Sequence, residues 1–260
     1  MSTLAQRDTK STPARSRRWK NARPVLVVAS LLVALALFPV GTLQGVNYVV
    51  SERTVPLYAK ALDFVDRDVN YRRVASQVIP QNASDHFKVR AALDWTRSTI
   101  RDTPGGFPVL DDHIWHIVIR GYGQDDQKAD VFTTLLTYAG LRSYWMSIGP
   151  GPELTMSFVE VGERWGMVDV QNNVIVVGRD GEPASVEEIA ANPAIAARQG
   201  PAMHRGVPYN RFFDGFRAPL PPDVTRAEMQ MPLARAWFEI RRTVGLDVRG
   251  WQMRGTRAPS

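Results

Sequence analysis

The chain has 260 residues, 44% of them hydrophobic and 22% charged, and a formal net charge of +6. That composition fits one ordinary globular domain or two small ones and excludes a wholly disordered chain. The absence of cysteine excludes disulfides, thiolate metal ligands and a cysteine nucleophile.

Residues 1–23 hold seven basic groups and one acid, the whole of the net charge. The remainder is neutral, so no basic face for nucleic acid is expected. From Pro24 the sequence reads PVLVVASLLVALALFPV without a charge. Extended to residue 45, this stretch is long enough to predict one membrane-spanning helix. A cleaved signal peptide is the rival, but no small-x-small cleavage site follows Phe38. The basic flank places a short cytoplasmic tail before the helix and an exported domain after it, in the inner (plasma) membrane of a cell with a periplasm. Residues 1–20 are expected to be disordered.

Apolar spacing predicts a helix over 54–77, read as a stalk within 46–84. Ser84-Asp85 can cap a second helix over 86–101, and Thr103-Pro104-Gly105-Gly106 breaks it. A short apolar stretch, 113–119, leads into Gly121-Tyr122-Gly123. The strongest helical pattern is 126–139, with Gly140 as its stop. Strand-like runs follow at 143–148, 154–161, 164–170 and 174–177, with Gly162-Glu163 as a two-residue hairpin turn. Ser185-Val186-Glu187-Glu188 has the pattern of a capping box. A Pro-rich aromatic segment, 208–222, precedes a last helix predicted over 226–244.

Three segments carry a resemblance: GYGQDDQKADVFTTLLTYAGLR (121–142), MSFVEV (156–161) and RWGMVD (164–169). They resemble the transglutaminase-like family of the papain-like cysteine-hydrolase superfamily at Gly123, Ala129, Val131, Leu135, Leu136, Gly140, Leu141, Phe158, Glu160, Val161, Trp165 and Asp169. The fold class implied is α+β: one transmembrane helix, then a transglutaminase-like domain with an N-terminal helical part and an antiparallel sheet. The corresponding plan is a basic tail (1–23), transmembrane helix (24–45), helical stalk (46–84), transglutaminase-like core (85–190) and C-terminal extension (191–260).

The resemblance places the family's catalytic triad at Asp125, Met156 and Asp169. Asp125 stands where a cysteine is expected and Met156 where a histidine is expected. A thioether cannot shuttle a proton and a stabilised carboxylate is a poor nucleophile, so acyl-transfer chemistry is expected to be absent. Asp125 also suits a helix cap, and Asp125, Asp126 and Asp169 could line a remnant acidic groove. Further groove or contact candidates are Gln124, Phe158, Trp165, Tyr209, Phe212 and Phe213, the last three also suited to core packing. His113 and His116 lack enough companions for zinc, and no metal or cofactor is expected.

The resulting expectation is a membrane-anchored, exported pseudoenzyme that binds or scaffolds in cell-envelope or surface-polysaccharide assembly. Its partners would be another envelope protein and a polysaccharide or peptide, not nucleic acid. The rivals are a hydrolase or acyl-transfer enzyme built on Asp125 and Asp169, and a structural subunit of a larger membrane complex.

Overall fold

The computed structural model describes residues 16–47, 49–111, 113–149, 153–179, 181–247, 249–251 and 256–257. The expectation of a disordered tail over residues 1–20 lies outside the described residues up to 15, while residues 16–20 form the start of a helix. The chain divides into two units. One comprises the described residues up to Thr42 together with Arg53–Leu62; the other comprises Leu43–Glu52 and the residues from Asp63 onward.

The membrane-spanning expectation is overturned in the first unit. Helix α1 runs Ser16–Ala36, so it starts inside the basic flank and its uncharged part is only Pro24–Ala36. At 1.5 Å per residue that part is about 20 Å long, against roughly 30 Å of hydrocarbon. Among the described residues no helix is long and apolar enough to cross a membrane. Pro39 supplies the physical reason. It has no N–H to continue the helix and drives Phe38 toward extended backbone, so the rest of the apolar run becomes strand β1, Pro39–Val46. The large apolar residues from Val25 to Phe38 are 55–67% exposed. Strand β2 (Val49–Pro56) pairs beside β1 and leads into α2 (Leu57–Val78).

In the second unit Ser84 caps α3 (Asp85–Thr99), accepting the Phe87 N–H at 3.3 Å. Short strand β3 (Arg101–Asp102) runs parallel to β5 (Tyr122–Gly123), and β4 (Leu110–Asp111) pairs with β1. Between them lies α4, Ile114–Arg120, closed by Gly121 at φ 69°. Helix α5, Asp125–Tyr138, is buried along almost its whole length. It is wrapped on its outer side by Tyr71 and Ala75 of α2 and by Ile114 and Ile117 of α4, which pack with Val131 and Leu135. Residues 46–84 therefore include helix surface that belongs to the core.

The central sheet contains β6 (Ser143–Ile148), β7 (Leu154–Val161), β8 (Arg164–Asp169) and β9 (Val174–Ile175), antiparallel in that order, with β12 (Thr256–Arg257) parallel to β6. Register is set by pairs such as Tyr144↔Phe158 and Met146↔Met156. Side chains alternate between two covered faces, as the strand period of two requires. Val159 and Val168 meet Val89, Leu93, Phe132 and Leu136 of α3 and α5. Tyr144, Met156, Phe158 and Met167 meet the opposite cover. That cover is formed by α6 (Val186–Ala191), α7 (Ala194–Ala197) and a 3-10 turn, Tyr209–Phe213.

Gly200, which follows α7, touches this cover: a Cβ there would overlap the ring of Tyr209. Gly200→Ala is expected to cost about 1–3 kcal/mol through overpacking, seen as a lower urea midpoint at unchanged slope.

The last predicted helix is split. A 3-10 turn, Glu228–Gln230, is followed by extended Met231 and then α8, Pro232–Thr243. The break falls at Met231 because Pro232 disfavours helical backbone at the residue before it.

Candidate functional site

The positions assigned from the resemblance converge only in part. Gln124, not Asp125, is the N-cap of α5; its backbone N–H donates to Gln127 Oε1 at 3.1 Å. Asp125 is therefore the first residue inside the helix, at the end that favours an anion. Asp126 is exposed, and its Oδ1 accepts the Gln127 N–H at 2.9 Å. Asp169 ends β8 and is fully buried on the sheet face opposite α5.

A hairpin absent from the sequence-based expectation reaches Asp125. Strands β10 (Met203–His204) and β11 (Val207–Pro208) pair antiparallel, with His204 opposite Val207. Their two-residue turn, Arg205-Gly206, has φ 48° and 80°, the left-handed pair that fits the twist of a hairpin. The turn presents both His204 and Arg205 to the start of α5. Arg205 donates to Asp125 Oδ2 at 2.8 Å. His204 Nε2 lies 3.8 Å from the same oxygen.

The network continues inward. Asn172, in the turn after β8, donates its backbone N–H to Asp169 Oδ1 at 2.9 Å and its amide to Asp169 Oδ2 at 2.7 Å. The same amide nitrogen lies 3.2 Å from His204 Nδ1. An amide nitrogen is a donor, so in the neutral ring Nδ1 accepts and Nε2 carries the proton. That N–H faces the Asp125 carboxylate. His204 is 6% exposed and its Nε2 forms no hydrogen bond with the described residues. Tyr209 O–H donates to Asp169 Oδ2 at 2.7 Å. Burial pushes the Asp169 carboxyl above its usual range, against the opposing pull of its Asn172 and Tyr209 donors and of His204. Tyr209 is raised first by burial and then by the Asp169 carboxylate.

Met156 is wholly buried within the apolar sheet face. Phe158 stacks on Tyr144, with centroids 5.0 Å apart. Trp165 meets Tyr144 edge-on and lies under the Arg142 guanidinium at 5.7 Å. Phe212 touches the His204 ring edge-on at 5.5 Å, and Phe213 is fully buried. The structure thus gathers Asp125, Asp169, Tyr209 and Phe212 around His204, while Met156, Phe158 and Phe213 fill the core. His204, Arg205 and Asn172 were missed by sequence reasoning; Gly206 is the local turn signal that could have pointed to the hairpin.

Asp125 has little freedom as a nucleophile or base, since Arg205 neutralises the oxygen that also faces His204. Among the described residues no three His, Asp or Glu side chains gather as a metal site; His113 and His116 meet edge-on at 5.6 Å. A separate cleft of about 580 Å³ is lined by Arg72, Arg73, Ser76, Ile79, Gln81 and Tyr138.

No protein-family model matches the chain, and no curated protein matches it. A solved structure described as a crystal structure of a TGase is similar at 12% identity, covering 72% of this chain, with a TM-score of 0.33. The chain spans 58% of the length of that structure.

Proposed function

We propose that this chain is a non-catalytic binding or scaffolding protein, a transglutaminase-like pseudoenzyme. The observation that carries the reading is the state of the two decisive positions. Asp125 is held in an ion pair with Arg205, and Met156 is sealed in apolar core. Neither offers an activated nucleophile or a proton acceptor to a carbonyl substrate. The resemblance in the sequence supplies the comparison that gives these positions meaning.

The function proposed is in cell-envelope or surface-polysaccharide assembly, outside the cytoplasm, with an envelope protein as partner and a polysaccharide or peptide as ligand. The ligand reading draws support from the arginine-lined cleft, which suits a carboxylated or otherwise anionic ligand.

A second reading, a hydrolase working through Asp125 and Asp169, is favoured by the imidazole 3.8 Å from Asp125. The buried position and filled hydrogen bonds of Asp169 weigh against it. The full chain incubated with a glutamine peptide and a fluorescent amine, and with ester and amide probes, is expected to give no turnover above the uncatalysed rate. Turnover abolished by Asp125→Ala, with the fold retained by circular dichroism, would favour the hydrolase and sink the pseudoenzyme.

A further inference from the structure

Helix α8 carries an apolar stripe that nothing in the described chain covers. Leu233, Trp237 and Ile240, continued by the C-cap residue Val244, recur at the spacing of one helix face and are 86%, 53%, 53% and 62% exposed. The protein-facing side is different: Phe238 is buried and packs on Trp251, with ring centroids 5.2 Å apart. Four large apolar residues aligned on a surface helix are more than scattered exposure.

The surrounding charge indicates what fits there. From Pro232 to Gly250 the sequence has four arginines and two acids. Glu239 pairs with Arg235 at 2.6 Å and with Arg242 at 3.0 Å. Arg241 lies over Trp251 at 5.8 Å, and Arg249, its side chain 92% exposed, pairs with Asp247 at 2.9 Å. A second copy would bring the same positive charge against itself, which disfavours self-association. A short helix with a Trp-containing apolar face and arginines around it matches an anionic lipid surface, where the apolar side chains enter the acyl boundary and the arginines meet headgroup phosphates.

We propose that α8 is an interfacial helix that docks on an anionic lipid surface through Leu233, Trp237, Ile240 and Val244. This is a helix lying in the surface plane, and it is independent of the pseudoenzyme reading.

The lack of native cysteine makes a local test available. Full-length protein carrying Ile240→Cys takes a single environment-sensitive fluorophore, and Glu163→Cys, in the exposed β7–β8 turn, serves as control. With phosphatidylglycerol/phosphatidylcholine vesicles the Ile240 label should shift to the blue and brighten about twofold or more. It should respond weakly to pure phosphatidylcholine, and salt at about 0.5 M should reduce the response. The Glu163 label should stay unchanged. Adding Trp237→Asp, an exposed substitution that leaves the core intact, should weaken the response at least about fivefold. Because α1 also exposes apolar residues, vesicle binding with a silent Ile240 label would overturn the proposal. So would a shift that grows with protein concentration without vesicles, which would indicate a second copy, or an equal shift with soluble polyglutamate, which would indicate an acidic polypeptide.

Discussion

Arg226→Met is expected to lower folding stability at pH 7 by about 3–5 kcal/mol. Arg226 pairs with Asp130 at 2.9 Å, and the Asp130 side chain is 5% exposed. Asp130 Oδ1 also accepts the Trp145 indole N–H at 2.6 Å. Removing the guanidinium leaves a buried carboxylate with its neutral donor alone. Burial already pushes Asp130 up to about 6, with Arg226 and Trp145 pulling the other way.

The sign of the pH effect follows from that raised value. The folded state holds the Asp130 proton more tightly than the unfolded chain, so the stability contributed is fully present below about pH 4 and lost as pH rises through 6. Relative to Asp130→Asn, which cannot ionise, the wild-type protein should lose about 3 kcal/mol between pH 4 and pH 7.5. The deficit of Arg226→Met should shrink at pH 4, where Asp130 is protonated. Urea titrations at the two pH values measure both effects. A deficit in Arg226→Met that is the same at both pH values would show that the lost interaction is packing, not charge.

Asp169→Ala is expected to be comparably damaging, about 3–5 kcal/mol. The substitution removes the acceptor for Tyr209 O–H, the Asn172 backbone N–H and the Asn172 amide together. It also frees the amide that orients His204. Tyr209→Phe removes one donor and should cost less, about 1–3 kcal/mol. Amide hydrogen exchange at Asn172 adds a local readout: protection should fall in Asp169→Ala and persist in Tyr209→Phe. Full stability in Asp169→Ala would mean that water replaces the carboxylate without loss.

These two networks mark where local sequence information stops. Helix α3, the sheet strands β6 to β8 and the Ser185 cap follow from short-range signals: helical or alternating apolar spacing and a Ser-x-x-Glu pattern. In the cap, Ser185 N–H donates to Glu188 Oε2 at 2.7 Å and Glu188 N–H to Ser185 Oγ at 3.1 Å, four residues settling their own geometry. Of the two roles considered for Tyr209, Phe212 and Phe213, contact surface and core packing, the structure shows the second: they close one face of the sheet. Composition alone does not distinguish a docking surface from an inner face, since both are aromatic.

The sequence by itself determined the missing thiol, the location of the positive charge, the principal helices and the central strands, because each depends on residue identity or on neighbours within one or two turns. Tertiary structure decided the rest. It paired the strand after α1 with β4, whereas Pro39, a local signal that hydropathy overlooks, ended the helix and removed the predicted span. It brought Arg205 to Asp125 across 80 residues and set His204 between Asp125 and the buried Asp169. Such contacts depend on how the sheet, its covers and one hairpin pack together, and no local periodicity encodes that arrangement.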